Sequence, residues 1–387
     1  GTPMVIDGES PGYPVESLKN FPAGDYYVQG LVNLYTEFHR ADGHTLWLHM
    51  DQWEGQGFNI SPGNLYSDVQ LVHLDPAKGY TIRLQASHVI PPVVVPPDTQ
   101  WVKRIRIKSE LLSKFWGRPM YIGATILLPA DYDEHPQQNY PVVYLQGHFS
   151  LSSPFGIQKD PPPLSPGAGV GDRETYEASV AWASPHFPRM IAVTFQHPTP
   201  YYDDSYAVNS PNDGPYGDAL FEELIPYLES HFRMIREPWA RVLTGGSTGG
   251  WESMALMLYH PSFFDGTYSG YPDQLDFRHY QLVNIYKDES AFLAPSSPLV
   301  PRLRPFQRSA DGQQLLTVRQ MSQLEEARGS HGRSGQQIAG WNSVWAPMGS
   351  DGYPRPLWDM KTGKIDPAVA SYMRDNGYDL LAYLEKN

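Results

Sequence analysis

Hydrophobic and polar side chains alternate along residues 25–87, a pattern typical of β-strands with one buried face. In the clearest stretch, Tyr80, Ile82, Leu84 and Ala86 alternate with polar residues up to Ser87. Turn-forming clusters at residues 41–43 and 61–64 interrupt the pattern. The alternation predicts antiparallel strands over residues 26–35, 44–51, 67–74 and 80–87. We expect these strands to form a small β-sandwich.

A proline-rich stretch at residues 90–97 ends this pattern. Its four prolines cannot donate backbone hydrogen bonds to a strand ladder, so we expect an extended, stiff connector. A boundary here predicts an N-terminal β-sandwich-like domain with its linker at residues 1–97 and a second domain at residues 98–387.

The second domain contains apolar runs separated by long connections, which favours a mostly parallel sheet flanked by helices. The predicted strands are residues 101–107, 121–128, 141–145, 190–195, 241–243 and 264–270. Helices are predicted at residues 216–232 and 251–259. After residue 270 we find no convincing strand. There the sequence predicts a helix at residues 313–328, a Trp-rich loop around Trp341, Trp345 and Trp358, and a last helix from Asp366 with a break at Asn376-Gly377.

Charge and composition exclude several function classes. The chain of 387 residues has a formal charge of −13, which repels nucleic acids. It lacks an apolar stretch of the length that spans a membrane. The absence of cysteine excludes disulfides and a cysteine nucleophile. We expect no cofactor and no metal, and we interpret Asp203 and Asp204 as solvated loop acids. Because the chain begins at Gly1 rather than Met, we expect N-terminal processing and a secreted or periplasmic protein.

Ser247 is the strongest candidate for chemistry. It lies in the sequence Thr-Gly-Gly-Ser-Thr-Gly-Gly, between a short apolar strand and a helical run. A nucleophile elbow has this order, and Gly245 and Gly249 stand where the tight turn requires residues without side chains. A Gly-rich turn without chemistry is the alternative. A phosphate-binding loop is less well supported, because the lysine that should follow it is missing.

Acyl transfer also needs an oxyanion hole and a base. We predict that the backbone N–H groups of Thr248 and His148 form the oxyanion hole, since His148 follows a strand that ends in Gly147. Of the three histidines after Ser247, His331 is the best base within the chain because it lies in a flexible loop, with Asp273 or Asp276 to orient it. His260 and His279 have ordinary structural explanations. The simpler account is that the acid and the histidine lie beyond Asn387.

Two loops are predicted to form the rim of a substrate site. Residues 150–188 are long and proline-rich, and they leave the same sheet edge as the oxyanion loop. Residues 201–206 contain three tyrosines and two acids and form the second candidate rim.

The region from Gly147 through Ser247 to His260-Pro261 resembles the Putative esterase group of α/β-hydrolases, which includes esterase D, feruloyl esterases and enterochelin esterases. The whole chain, including residues 44–55 and 351–354, resembles large bacterial proteins that join a β-rich N-terminal region to such a domain. The resemblance implies an α/β-hydrolase fold. It also implies that an aspartate and a histidine follow the final helix of this chain.

These observations lead to two function hypotheses. The first is a serine carboxylic-ester hydrolase that forms an acyl-enzyme on Ser247, acts on a small-molecule or glycan-linked ester, and turns over weakly as this chain alone. The second is a noncatalytic binding or structural protein with the hydrolase fold, or one piece of a processed or two-chain hydrolase. The sheet edge at residues 264–270 is expected to recruit a second chain or a C-terminal fragment, and a homo-oligomer is an alternative.

Overall fold

The N-terminal region is β-rich, as the alternating pattern predicts. A computed structural model describes residues 3–49, 57–78, 82–148, 150–295 and 302–386 of the chain. The first seven strands are β1 (Gly24–Val28), β2 (Leu31–Val32), β3 (Thr36–His39), β4 (Thr45–Leu48), β5 (Leu65–Ser67), β6 (Gln70–Leu74) and β7 (Ala86–Val89). They pair antiparallel in three small sheets, β1 with β6, β3 with β4, and β2 with β5 and β7. Residues 50–51 and 80–81 of the predicted strands lie outside the described residues.

A six-stranded mixed sheet forms the centre of the molecule. The next eight strands are β8 (Val102–Ser109), β9 (Met120–Leu127), β10 (Val142–Gln146), β11 (Ile191–Gln196), β12 (Asn209–Ser210), β13 (Gly214–Pro215), β14 (Arg241–Gly246) and β15 (Gly266–Gly270). The spatial order in the sheet is β8, β9, β11, β10, β14, β15, and β12 and β13 form a separate hairpin. The strand β9 runs antiparallel to its neighbours, whereas β11, β10, β14 and β15 run parallel. Every residue of β11 is buried, because elements cover both faces of the sheet.

Helices cover the two faces of this sheet, which confirms the predicted α/β-hydrolase class. They are α1 (Glu110–Trp116), α2 (Val170–Ala183), α3 (Tyr216–Asp218), α4 (Ile225–His231) and α5 (Thr248–Tyr259). A π-helical stretch, Ala219–Leu224, joins α3 to α4, so the helix predicted at residues 216–232 is one helical run. The segment at residues 150–188 is less irregular than predicted, since it contains α2.

The C-terminal part differs most from the prediction. Its elements are β16 (Leu293–Ala294), β17 (Arg302–Leu303), β18 (Pro305–Arg308), β19 (Gln314–Thr317), α6 (Val318–Arg328), α7 (Gln337–Trp345), α8 (Pro367–Asp375) and α9 (Leu380–Lys386). Two short hairpins therefore follow residue 270, where we expected no strand, and β19 occupies the start of the helix predicted at residues 313–328. The predicted Trp-rich loop is partly wrong, because Trp341 and Trp345 lie on α7, where they pack at helical spacing in the core. As predicted, Asp366 caps α8, and the last helical region is interrupted at Asn376-Gly377, between α8 and α9.

The sheet ends at β15 in the part of the chain that the structure describes. There, β15 pairs with β14 on one side, and none of the strands at residues 302–317 joins its other side. The hairpin of β3 and β4 contributes Phe38, Leu46 and Leu48 to the same core as the sheet. The domain boundary at residue 97 stays a prediction. No helix within the described residues has the length and apolar character needed to cross a membrane.

Candidate active site

Ser247 occupies a strained turn between β14 and α5. Its backbone φ and ψ are 56° and −122°, a conformation that residues with a side chain rarely adopt. Two hydrogen bonds hold the turn in place: the Ser247 N–H donates to the Gly270 carbonyl at 3.2 Å, and the Asp273 N–H donates to the Ser247 carbonyl at 3.0 Å. The side chain of Ser247 is exposed. The strand, sharp turn and helix therefore present this hydroxyl at the end of the sheet, as a nucleophile elbow does.

The two glycines of the elbow are required by close backbone contacts. A Cβ on Gly245 would lie 2.2 Å from the Gly249 carbonyl oxygen, and a Cβ on Gly249 would lie 2.0 Å from the carbonyl oxygen of Gln146. Both distances are far below any real contact of a Cβ atom. The elbow thus packs directly against the end of β10, and this contact brings the loop that carries His148 beside Thr248.

Asp273 is the hydrogen-bond partner of the Ser247 hydroxyl. The Ser247 Oγ donates to Asp273 Oδ1 at 3.5 Å, the outer limit for such a bond. The other oxygen of Asp273 accepts from the Tyr206 hydroxyl at 2.8 Å, the Trp341 indole at 3.2 Å and the Thr248 hydroxyl at 3.3 Å. Asp273 thus accepts hydrogen bonds from four side chains and links the elbow to Tyr206 and Trp341. Asp273 therefore lies at the site itself, whereas the sequence suggested it only as a residue to orient His331.

His148 lies beside the elbow, and its imidazole is fixed by two acids. Its Nδ1 is 2.8 Å from Asp204 Oδ2 and 3.3 Å from Asp203 Oδ1, while its Nε2 is 3.4 Å from the Thr248 hydroxyl. Burial lowers the pKa of His148, but the hydrogen bonds to Asp203 and Asp204 outweigh it and raise the pKa to about 12. The sequence assigned a role only to the backbone of this residue. The structure adds a charged side chain close to Thr248.

The interpretation of Asp203 and Asp204 as solvated loop acids is wrong. Asp204 is fully buried and Asp203 is 7% exposed. Burial raises the pKa of both carboxyls, but the hydrogen bond from His148 lowers the pKa of Asp204 to about 2, whereas the pKa of Asp203 stays raised. All of residues 201–206 are buried, so this segment does not form an exposed rim. The segment is buried because α7 covers it: the indole of Trp341 donates to the Tyr206 hydroxyl at 2.9 Å.

His331 does not reach the elbow. Its Nδ1 lies 3.0 Å from the Ser330 hydroxyl, its Nε2 lies 3.9 Å from Asp351 Oδ2, and its ring packs on Tyr353. Within the described ranges, no histidine hydrogen-bonds to the Ser247 hydroxyl, and Asp276 pairs with Arg278 instead. The structure therefore does not support His331 as the base for Ser247.

Sequence reasoning missed two buried side chains that lie beside Asp204 behind the elbow: His197 at 1% exposure, and Glu252 on α5. The sequence contains only a weak signal for Glu252. It lies five residues after Ser247 and is the one charged residue of α5, and a buried acid is unusual.

Comparisons with known proteins show what this chain is similar to. Residues 118–274 match the profile of the family described as Putative esterase. A search of curated proteins found no significant match. Among solved structures, a ferulic acid esterase is 21% identical at a TM-score of 0.32, covering 46% of this chain and 60% of that one. An S-formylglutathione hydrolase from Agrobacterium tumefaciens is 17% identical at a TM-score of 0.32, covering 47% and 62%. A serine hydrolase from Shewanella oneidensis is 19% identical at a TM-score of 0.28, covering 44% and 51%.

The present chain thus spans less than two thirds of the length of these solved structures. Likenesses at such TM-scores establish neither a substrate nor a mechanism for it. The family profile is more informative, because it covers the residues from β9 to the loop after β15 and includes the elbow at Ser247. Over residues 118–274 the chain is therefore similar to the family described as Putative esterase.

Proposed function

We propose that the protein is a serine carboxylic-ester hydrolase and that Ser247 is its nucleophile. In the first step Ser247 Oγ bonds to the carbonyl carbon of the ester, loses its proton and expels the alcohol. In the second step water releases the acid and regenerates the hydroxyl. The observation that carries the proposal is the strained backbone of Ser247 at the end of β14, with its hydroxyl exposed.

The negatively charged oxygen of the tetrahedral intermediate needs hydrogen-bond donors that point at it. Thr248 is the first residue of α5, so its N–H has no acceptor within the helix. The close contact between Gly249 and Gln146 holds the end of β10 against this N–H. We assign the backbone N–H groups of Thr248 and His148 to the oxyanion hole on this basis.

Asp273 limits the rate at which Ser247 can be acylated. It is the group that accepts a hydrogen bond from Ser247, where acyl transfer by a serine ordinarily uses an imidazole as the base, and a carboxylate is by its ordinary chemistry a weaker base than an imidazole. We therefore expect acylation by reactive esters and slow turnover of ordinary ones by this chain. A small-molecule or glycan-linked ester remains the proposed substrate class.

A fluorophosphonate probe tests the proposal. The probe phosphonylates an activated serine, so we expect the folded chain to be labelled and Ser247→Ala to lose the label. Ser330→Ala, which removes a hydroxyl that bonds to His331 and Arg333 instead of to Asp273, is the matched control and should be labelled like the unaltered chain. Equal labelling of Ser247→Ala and the unaltered chain would show that Ser247 is not the nucleophile.

A noncatalytic binding protein is the second candidate, favoured by the carboxylate that faces Ser247 in place of an imidazole. In that case the probe would label neither the unaltered chain nor Ser247→Ala, although both fold. Esters would then bind without being cleaved, which mass spectrometry of the mixture would show by the absence of an acylated chain.

A further inference from the structure

Three carboxylates and two imidazoles form a cluster behind the elbow, buried except for the half-exposed His148. We call it the elbow cluster: His148, His197, Asp203, Asp204 and Glu252. Asp204 and Glu252 are fully buried and His197 is 1% exposed. No Lys or Arg side chain forms an ion pair with these acids within the described residues. Buried carboxylates that lack such partners are costly, so another positive charge would stabilise the cluster.

Glu252 is the member that lacks a partner. Neither of its carboxylate oxygens has a hydrogen-bond donor among the residues that the structure describes. Its carboxylate faces that of Asp204, and two carboxylates can approach one another only if a proton or a cation lies between them. The remaining neighbour is His197, whose Nε2 is 3.9 Å from Glu252 Oε1.

We propose that His197, Asp204 and Glu252 bind one divalent transition-metal ion. Their ligand atoms all lie within 4.8 Å of one another. Two ligands bound to one Zn²⁺ at about 2.1 Å each can be at most about 4.2 Å apart. The 3.9 Å between His197 Nε2 and Glu252 Oε1 is within that limit, and any pair separated by more than about 4.2 Å must draw together when the ion binds. One imidazole with two carboxylates suits Zn²⁺ or Mn²⁺ better than Ca²⁺, which prefers oxygen ligands alone.

The surroundings of His197 fit a metal ligand. Its Nδ1 lies 3.0 Å from the Ser205 hydroxyl and 3.2 Å from the Ser205 backbone nitrogen. The Ser205 N–H lies 3.2 Å from both Nδ1 and the His197 carbonyl oxygen. For Nε2 to bind the ion, Nδ1 must keep the ring proton and donate it to the Ser205 hydroxyl, while the Ser205 N–H donates to the His197 carbonyl. His148 is a less suitable ligand, because its Nδ1 already bonds to Asp203 and Asp204 and its side chain is half exposed.

The ion would have a structural role. Glu252 belongs to α5, Asp204 to the loop after β11, and His197 follows β11 directly. One ion would therefore tie the elbow helix to the loop that positions His148. The site could not be predicted from the sequence, because Glu252 is remote from His197 and Asp204 in the chain and the three residues follow no metal-binding spacing. The site is independent of the chemistry of Ser247, so Ser247→Ala should bind the ion as well as the unaltered chain does.

Co²⁺ titration of the complete chain, after treatment with a chelator, tests the proposal. We expect one ion per chain, visible ligand-field bands, and displacement of Co²⁺ by Zn²⁺. Glu252→Gln should weaken binding about tenfold or more, because it removes a charged ligand. Glu325→Gln is the matched control: Glu325 is also buried, but it bonds to backbone N–H groups of α7, so this variant should bind the ion unchanged.

Two further measurements keep the test decisive if Glu252→Gln does not fold. His197→Asn should also weaken binding, and anomalous diffraction from crystals of the unaltered chain with Zn²⁺ should place the ion beside His197 Nε2. If the unaltered chain binds no ion, or if the ion lies elsewhere, the proposal is wrong. In that case a proton shared by Asp204 and Glu252 holds the cluster together.

Discussion

At the scale of single residues, the elbow requires a glycine at position 249, because there is no room for a Cβ atom there. Gly249 contacts the carbonyl of Gln146 so closely that any side chain would separate α5 from β10. The same contact brings Thr248 next to His148. The geometry of the proposed oxyanion hole and the stability of the turn therefore depend on one glycine.

Gly249→Ala tests this dependence. The added Cβ would overlap the Gln146 oxygen, so we expect a loss of about 1–3 kcal/mol in the free energy of unfolding and weaker fluorophosphonate labelling. Gly171→Ala is the control, because a Cβ on Gly171 meets no atom within 4 Å. Denaturant unfolding should show the control within about 1 kcal/mol of the unaltered chain. Equal stability of the two variants would contradict the close contact.

At the scale of elements, α7 is held in place by an acid from α6. Glu325 accepts hydrogen bonds from the N–H groups of Ile338 and Ala339, at the beginning of α7, and from the Ser334 hydroxyl. A carboxylate at a helix N-terminus satisfies N–H groups that have no acceptor within the helix. This contact places Trp341 over Asp273, so the packing of two helices determines what surrounds Ser247.

Glu325 makes the stability depend on pH. Burial raises its pKa from about 4.5 to about 7, although the hydrogen bonds from Ile338, Ser334 and Ala339 oppose the shift. The folded chain therefore keeps this proton at pH values where the unfolded chain has lost it. The contribution to stability is complete below about pH 4.5 and is lost as the pH rises towards 7, a change on the order of 3 kcal/mol.

Unfolding by urea at several pH values, compared with Glu325→Gln, measures this contribution. The variant cannot titrate at residue 325, so the difference in unfolding free energy between the two chains should change with pH between about 4.5 and 7. A difference that stays constant over this range would show that Glu325 titrates normally in the folded chain.

At the scale of the whole molecule, the β-rich N-terminal region shares a core with the central sheet. Phe38 on β3 is 1% exposed and packs edge-on against Trp116 of α1, with ring centroids 5.2 Å apart. His49 stacks on Tyr202, which directly precedes Asp203 and Asp204 of the elbow cluster. These contacts couple the folding of the N-terminal hairpin to that of the hydrolase region.

Phe38→Ala should lower the free energy of unfolding by about 3–5 kcal/mol, because it leaves a cavity in the shared core. We expect one transition in chemical denaturation, monitored by circular dichroism and by tryptophan fluorescence. Tyr27→Ala is the matched control, since Tyr27 lies on β1 in the same region but is 79% exposed, and its effect should be within about 0.5 kcal/mol. Two separate transitions in the unaltered chain would mean that the N-terminal region folds by itself.

The sequence alone was sufficient for the elbow and for most of the central sheet. A tight turn between a strand and a helix requires glycines close to the serine, which is a local steric effect. A strand that is buried on both faces consists of consecutive apolar residues, so it too is recognised from neighbouring positions. For the same reason, the helical run at residues 216–232 and the cap at Asp366 were predicted from local signals.

The tertiary structure decided which groups surround the serine. Asp273 contacts Ser247, while His148 contacts both Thr248 and Asp204. These acids and this imidazole lie on loops that leave different strands, and a periodic pattern of residues does not predict the distance between such loops. The burial of Asp203 and Asp204 depends on α7, more than 130 residues later in the chain, so local composition made these acids look solvated. Residues that are adjacent in sequence specify a turn or a helix, whereas the charge and the protonation state of a site depend on the groups that the completed fold packs against it.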